Sequence, residues 1–182
     1  KKGHGVLNMR SAMKRSCDVY FYEVARKLGI DRLSETAKKF GLGQKVLENF
    51  KEEKAGTVPN TKWKLNNIGK NWYIGETLHS GIGQGYFLST PIQLCLMTAQ
   101  LANGGFKIKP RILVDEKNTV NNLKEYLDYT KKNPIGINRK LNPENINLQP
   151  LFRNQENINF VKEAMFAASN EPGGTSYRSR HV

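Results

Sequence analysis

A glycine-rich turn that leads into a strongly capped apolar helix is the feature that most constrains the fold of this chain. Glycine alternates with other residues from Gly81 to Gly85, and Thr90 opens a mostly apolar run soon afterwards. Thr90 suits the N-cap, Pro91 the first helical position and Gln93 the third, which predicts a capping box with the favoured proline. Because the run has little polar face, it predicts a buried helix.

Hydrophobic periodicity predicts further helices on both sides of this one. Apolar residues recur at helical spacing in four segments, residues 6–15, 21–28, 31–40 and 155–170. Residues 44–80 contain glycine, proline and charges and are predicted to form a long loop, while residues 106–109 alternate like a half-exposed strand. We therefore predict a partial domain with a helical core over about 6–114 and 155–170. Residues 115–150, rich in Asn, Lys and Pro, are predicted to form a surface insertion.

The chain is strongly basic, with a formal net charge of +13. Such a charge attracts nucleic acid, membrane surfaces and anionic polymers without specifying any of them. The lysines are scattered instead of forming a stripe, and no recognisable nucleic-acid module surrounds Trp63 and Trp72. The charge is therefore interpreted mainly as compositional bias. No stretch reaches the roughly 18 consecutive apolar residues that indicate a membrane span.

Ser16-Cys17-Asp18 lies at the predicted corner between the first two helices, and two interpretations are open. As local structure, Ser16 is a favoured N-cap and Asp18 suits the positive end of the helix dipole. As chemistry, a hydroxyl beside a carboxylate can carry and hold protons. The motif alone does not decide between them.

Two other matches to nucleophile motifs have weaker support. Ser11-Ala12-Met13-Lys14 fits the pattern S-x-x-K, but it lies on the short helix that leads directly into Ser16. Because a nucleophile and a relay serine must converge from different elements, we interpret this match as accidental. Lys54-Ala55-Gly56-Thr57 resembles K-[ST]-G but has alanine where the hydroxyl belongs.

The cysteines and histidines predict neither a metal site nor a cofactor. Cys17 and Cys95 have no ligand spacing, and Cys95 is expected to be buried in the apolar helix. A Cys17 thiolate with His4 or His79 as base lacks a third, orienting group. The glycines at 81–85 lack the Lys-Ser/Thr pair of a phosphate loop, so they are better explained by a close backbone approach.

Taken together, these blocks resemble the transpeptidase domain of class B penicillin-binding proteins. The resemblance covers residues 1 to about 114, and less closely the last helix with its Pro172-Gly173-Gly174-Thr175 turn. The third position of the second family motif is usually Asn. The Asp18 found there resembles the elongation-type subgroup, penicillin-binding protein 2. The blocks that carry the resemblance are Gly3-His4-Gly5, Lys14-Arg15-Ser16-Cys17-Asp18-Val19-Tyr20-Phe21-Tyr22, Gly29-Ile30-Asp31-Arg32-Leu33, Gly81-Ile82-Gly83-Gln84-Gly85-Tyr86 and Ser89-Thr90-Pro91-Ile92-Gln93.

The resemblance implies an α+β fold, the penicillin-binding and serine beta-lactamase-like transpeptidase fold, with mostly its helical part in this segment. The family carries S-x-x-K, S-x-N/D and K-[ST]-G in that order. Ser16 and Asp18 match the second motif and are the implied catalytic residues. The first and third motifs are not found where they are needed, so we expect an internal fragment whose nucleophile lies outside it.

The implied function is that of a peptidoglycan D,D-transpeptidase, which cross-links stem peptides through a serine acyl-enzyme and binds penicillin without a cofactor. The implied partners are peptidoglycan stem peptides, beta-lactams, a membrane glycosyltransferase and elongation-complex proteins, with no nucleic acid. The implied location is the periplasmic side of the bacterial inner membrane, with the anchor outside this segment. The alternatives are a non-catalytic scaffold with a degenerate penicillin-binding fold and a basic nucleic-acid-binding module.

Overall fold

The computed structural model describes residues 3–47, 50–110 and 149–179, and in these residues α-helices dominate. A short 3-10 turn, Tyr177–Ser179, follows the last helix. The insertion predicted over 115–150 lies almost entirely outside the described residues, so the predicted division into core and insertion stays a prediction. The helices are α1 (Met9–Lys14), α2 (Asp18–Leu28), α3 (Ile30–Lys39), α4 (Thr61–Ile68), α5 (Ile74–Gly81), α6 (Pro91–Ala102) and α7 (Glu156–Asn170).

Extended pairing is sparse in the described residues. Two isolated antiparallel bridges join Thr57 to Leu88 and Phe106 to Pro150. The strand predicted over 106–109 is therefore wrong as a regular strand. The alternating segment forms only the isolated bridge between Phe106 and Pro150 within the described residues, and beside it the Lys107 N–H donates to the Gln149 carbonyl at 2.9 Å.

The helices form two main packed pairs, α2 against α5 and α1 against α7. Gly81, the last residue of α5, lies directly against α2. A Cβ there would collide with the Ala25 side chain and lie 3.1 Å from the Phe21 carbonyl oxygen. The expected close backbone approach at this glycine is confirmed, and it fixes how α5 crosses the helix that begins at the Ser16 corner.

The start of α6 has the predicted capping box. The Thr90 N–H donates to Gln93 Oε1 at 3.1 Å, the Gln93 N–H donates to Thr90 Oγ1 at 3.4 Å, and Pro91 is the first helical residue. These bonds satisfy backbone donors that a helix start otherwise leaves free. The local sequence therefore decides where α6 begins.

The prediction that α6 is buried all round is wrong. Its buried residues are Gln93, Leu96 and Gln100, whereas Cys95 is exposed and Leu94 is 47% exposed. The buried amides carry hydrogen bonds across the structure: Gln93 donates to the carbonyls of Gln44 and Ala55 at 2.7 and 2.8 Å, and Gln100 donates to that of Phe40 at 3.0 Å. Because these amides are satisfied, burying them is tolerated.

The long loop predicted over 44–80 is also wrong, because it contains α4 and α5. The Asn60 side chain caps α4 by accepting the Trp63 N–H at 2.7 Å, and Gly69 ends it in the left-handed conformation at φ 72°. Each of the two helices has only eight residues. Helices this short give weak periodicity, so tertiary contacts stabilise them.

Candidate active site

Ser16 is the residue at which the chain turns from α1 into α2. Its φ of 49° is the only positive value for a non-glycine residue in the described ranges. The Ser16 N–H donates to the Met13 carbonyl at 3.1 Å and the Cys17 N–H to that of Ala12 at 2.9 Å. These two bonds form the Schellman motif that closes α1, and glycine is the usual residue at the position of Ser16. A serine held there costs on the order of 1 kcal/mol, and such strain clusters at functional sites.

The predicted role of Ser16 as the N-cap of α2 is wrong. Cys17 occupies the N-cap position without a side-chain cap bond, and Asp18 is the first residue of α2. The Ser16 Oγ–H instead donates to Thr175 Oγ1 at 3.3 Å, at the surface. The Ser16 hydroxyl therefore does not cap α2.

The two polar side chains of the motif face solvent and the middle one does not. Asp18 is exposed, and its carboxylate has no hydrogen-bond or ion-pair partner within the described part of the chain. Asp18 lies in the first turn of α2, where the helix dipole interacts favourably with negative charge. Cys17 is 9% exposed. The corner thus presents a hydroxyl and an uncompensated carboxylate on either side of a buried thiol.

The turn after α7 brings Thr175 to this corner. The Thr175 N–H donates to the Lys14 carbonyl at 3.2 Å, and the Ser176 N–H donates to the Ala168 carbonyl at 3.0 Å. A Cβ on Gly174 would lie 2.7 Å from the Ala167 carbonyl oxygen, so only glycine lets the turn fold back so closely. The end of α1 and the turn after α7 therefore meet at Ser16.

An ion cluster locks the same two segments together. The Glu171 carboxylate, at the end of α7, accepts two hydrogen bonds from the Arg10 guanidinium, one of them at 3.1 Å, and one from Lys14 Nζ at 2.9 Å. These bonds, from Arg10 first and then from Lys14, lower the pKa of Glu171 from 4.5 to about 2. Lys14 thus serves the ion cluster, which agrees with an accidental S-x-x-K match.

The depressed pKa of Glu171 predicts a pH dependence for the contact between α1 and α7. Its folded-state pKa of about 2 lies below the ordinary 4.5, so the cluster stabilises the fold fully above about pH 4.5 and is lost as the pH falls toward 2. Glu171→Gln should therefore lower the melting temperature of the full-length protein at pH 7. Its deficit relative to wild type should shrink between pH 4.5 and pH 2.5, and a constant deficit across that range would contradict the assignment.

A second, buried ion pair supports α5, the helix packed on α2. Lys64, with a side chain only 3% exposed, donates to Glu76 at 2.5 Å, and the Lys64 ammonium also lies 4.6 Å from the centre of the Tyr73 ring. Glu76 accepts the Tyr73 N–H at 2.8 Å. Burial raises the pKa of Glu76, but the bonds from Lys64 and Tyr73 more than offset this and the pKa lies below its ordinary value.

Aromatic packing fixes the glycine-rich turn above this ion pair. The Tyr86 ring lies 5.4 Å from that of Trp63 and 6.2 Å from that of Trp72, and the Trp72 indole N–H donates to Thr77 Oγ1 at 2.8 Å. These are ordinary separations for packed aromatic pairs. The two tryptophans therefore anchor the glycine-rich turn through the Tyr86 ring.

The other motifs do not form sites in the structure. Thr57, in the match to K-[ST]-G, is bonded through its backbone to Leu88, while His4 and His79 are exposed and Cys17 is buried. Among the described residues, no group of three or more His, Cys, Asp or Glu could hold a metal ion. The helices that the structure describes are all too short or too polar to cross a membrane.

Sequence reasoning missed the ion cluster around Glu171. Arg10 and Glu171 are 161 residues apart in the chain, so no local pattern connects them. The available signal was the spacing of Arg10 and Lys14, which places two cations on one face of α1. Such a pair needs a carboxylate, but the sequence does not say which one.

Comparison with known proteins identifies the family. The family model of the penicillin-binding protein transpeptidase domain matches residues 1–181. The chain belongs to this family. Among curated relatives, the peptidoglycan D,D-transpeptidase MrdA of Salmonella typhimurium strain LT2 is 34% identical over 182 residues, 100% of this chain and 27% of that protein. MrdA of Escherichia coli K12 is 43% identical over 114 residues, 63% of this chain and 18% of that protein.

Solved structures agree with this assignment. A crystal structure of Pseudomonas aeruginosa PBP2 in complex with WCK 5153 has a TM-score of 0.70 and 34% identity, covering 94% of this chain and 34% of that one. PBP2 of Helicobacter pylori, solved in complex with MreC, has a TM-score of 0.72 and 28% identity, covering 97% and 28%. The chain therefore has the penicillin-binding transpeptidase fold, and its described residues belong to the helical part. It spans 17% to 27% of the length of the first curated relatives.

Proposed function

We propose that the protein carrying this chain is a peptidoglycan D,D-transpeptidase. A serine outside residues 1–182 attacks the D-Ala-D-Ala amide of a stem peptide, so that an ester forms and the C–N bond breaks with release of D-Ala. An amine of a neighbouring stem then attacks the ester, which forms the cross-link and returns the serine. A beta-lactam acylates the same serine through its strained amide. The observation that carries the proposal is the strained, exposed Ser16 corner in a chain that matches the family over residues 1–181.

Ser16 and Asp18 take different roles in this proposal. A hydroxyl donates and accepts at once, so Ser16 can pass a proton between an activating Lys and the departing amine. A carboxylate only accepts, and that of Asp18 has no partner within the described residues, which leaves it available to the ammonium of that Lys. The mechanism therefore needs Ser16 to relay the proton and Asp18 to hold the Lys ammonium beside the nucleophile.

We further propose a periplasmic location at the inner membrane, with the anchor outside residues 1–182. The substrate polymer lies on that side, and the basic chain, at +13, suits an anionic cell-wall surface. The Helicobacter pylori relative was solved with MreC, and another similar structure shows a peptidoglycan synthase complex. A membrane glycosyltransferase and elongation-complex proteins are therefore the proposed partners, and beta-lactams the proposed inhibitors.

A cross-linking assay with the full-length protein tests this function. Purified protein is incubated with glycan strands that carry pentapeptide stems, and mass spectrometry follows cross-linked dimers together with released D-Ala. We expect both products in equal amounts, and both should disappear with penicillin. Stable binding of the strands without either product would instead favour a non-catalytic scaffold.

A further inference from the structure

The ends of α1 and α7 meet through charges that have no direct part in the proposed acyl transfer. Arg10 and Lys14 lie one helical turn apart on α1, and both bind the carboxylate of Glu171 at the end of α7. The two bonds from Arg10 and the one from Lys14 are charge-assisted, and a carboxylate bound in this way has a restricted orientation. The cluster is half-buried, since the Lys14 side chain is 17% exposed and that of Glu171 is 33% exposed.

Ser16 is attached to this cluster at both sides. It follows Lys14 by two residues and is held by the Schellman bonds at the end of α1. On the other side, Glu171 begins the turn whose Thr175 donates through its N–H to the Lys14 carbonyl and accepts from Ser16 Oγ. The cluster and the bond from the Thr175 N–H to the Lys14 carbonyl therefore act together on the separation of the Ser16 and Thr175 hydroxyls.

The bond between those hydroxyls cannot hold the geometry by itself. At 3.3 Å it is long for a hydroxyl–hydroxyl bond, and it is exposed to water. Ser16 also occupies a backbone conformation that a free serine rarely adopts, at φ 49°. The Schellman bonds hold this backbone conformation, and the charge-assisted bonds of the cluster are the stronger restraint on the distance between the end of α1 and the turn that carries Thr175.

We propose that Glu171, through Arg10 and Lys14, is a positioning residue that sets the place of the Ser16 hydroxyl during acylation. The inference rests on the proposed function, in which Ser16 relays a proton. Glu171 touches neither substrate nor nucleophile in this account. It acts by fixing the distance between the end of α1 and the turn that carries Thr175.

The test measures acylation of the full-length protein by a fluorescent penicillin over a range of concentrations, which separates the initial dissociation constant from the acylation rate constant. Glu171→Gln should lower the rate constant about ten- to a hundredfold, because a small misplacement of a catalytic group has effects of that size. The dissociation constant should stay within about twofold, since the penicillin does not contact Glu171 in this account. Arg10→Met should have the same effect, whereas Glu35→Gln, at an exposed carboxylate on α3, should have none.

A double-mutant cycle with Ser16→Ala distinguishes positioning from general destabilisation. If Glu171 acts through Ser16, Glu171→Gln should change the rate constant less than about twofold once the Ser16 hydroxyl is gone. An equal loss in both backgrounds, or no loss from Glu171→Gln and Arg10→Met, would overturn the positioning role while leaving the proposed function intact. No acylation of the unmodified protein would overturn the proposed function itself, and the inference with it.

Discussion

Replacing Ser16 with alanine should slow acylation of the full-length protein by penicillin about 10²- to 10⁴-fold, the usual range for loss of a proton-transfer group. The Ser16 side chain does not cap α2, and within the described residues its side-chain hydrogen bond is the exposed one to Thr175, so alanine removes no capping bond. The fold should therefore survive the change. A stopped-flow or gel-based measurement of the acylation rate checks the expectation.

Ser16→Gly is the matched control for backbone strain. Both variants lack the hydroxyl, but glycine adopts the observed φ of 49° without the penalty that alanine keeps. We expect the glycine variant to be more stable than the alanine variant by up to about 1 kcal/mol. It should be acylated just as slowly. Recovery of the rate in Ser16→Gly would show that strain relief, and not the hydroxyl, matters at this corner.

Removing Glu76 should give the largest loss of stability among the charged residues considered. Glu76→Ala leaves the Lys64 ammonium, 3% exposed, buried without its carboxylate. Breaking a buried pair from one side typically costs about 3–5 kcal/mol. Because Glu76 also receives the Tyr73 N–H, the start of α5 should loosen as well. Urea unfolding of the full-length protein, followed by tryptophan fluorescence from Trp63 and Trp72, measures the loss.

Lys64→Met is the control that separates charge burial from packing. Methionine fills a similar volume and leaves no buried cation, while Glu76, 23% exposed, can turn to water and still accept the Tyr73 N–H. The expected cost is therefore below about 1.5 kcal/mol. Equal costs for the two variants would mean that the ion pair itself, and not an unpaired Lys64, determines the stability of this region.

The sequence predicted the elements whose determinants are local. The capping box at Thr90 and Gln93 is decided within a few residues, and the structure confirms it. The close approach at Gly81 was predictable for a similar reason, since glycine recurs at 81, 83 and 85 without the residues of a phosphate loop. The family resemblance also depended on short blocks with fixed spacing, and the match over residues 1–181 confirms it.

The sequence failed where tertiary contacts override local preference. Ser16 has the residue type of an N-cap, but the Schellman bonds that close α1 place it one residue before the N-cap of α2. Cys17 occupies the N-cap position instead. In α6 the apolar run predicted burial on all sides. The buried face instead contains Gln93 and Gln100, whose side-chain amides donate to backbone carbonyls of residues distant in the sequence. Such bonds have no local signature.

The candidate site was predictable in part. Ser16 and Asp18 were identified from their residue types and from the blocks around them, and their catalytic roles stay a proposal. Glu171 and the contact of Thr175 with Ser16 were not predictable, because they join segments about 160 residues apart in the chain. Both contacts exist only because α7 packs on α1, so they can be seen only in the folded structure.

Mapping the penicillin adduct tests the central claim most directly, namely that the nucleophile is a serine outside this segment and that Ser16 is not itself acylated. The full-length protein is acylated, digested and analysed by tandem mass spectrometry. We predict one modified serine, in a peptide upstream of residue 1 and followed three residues later by Lys. All peptides from residues 1–182 should be unmodified. An adduct on Ser11 or Ser16, or no adduct anywhere, would contradict the account.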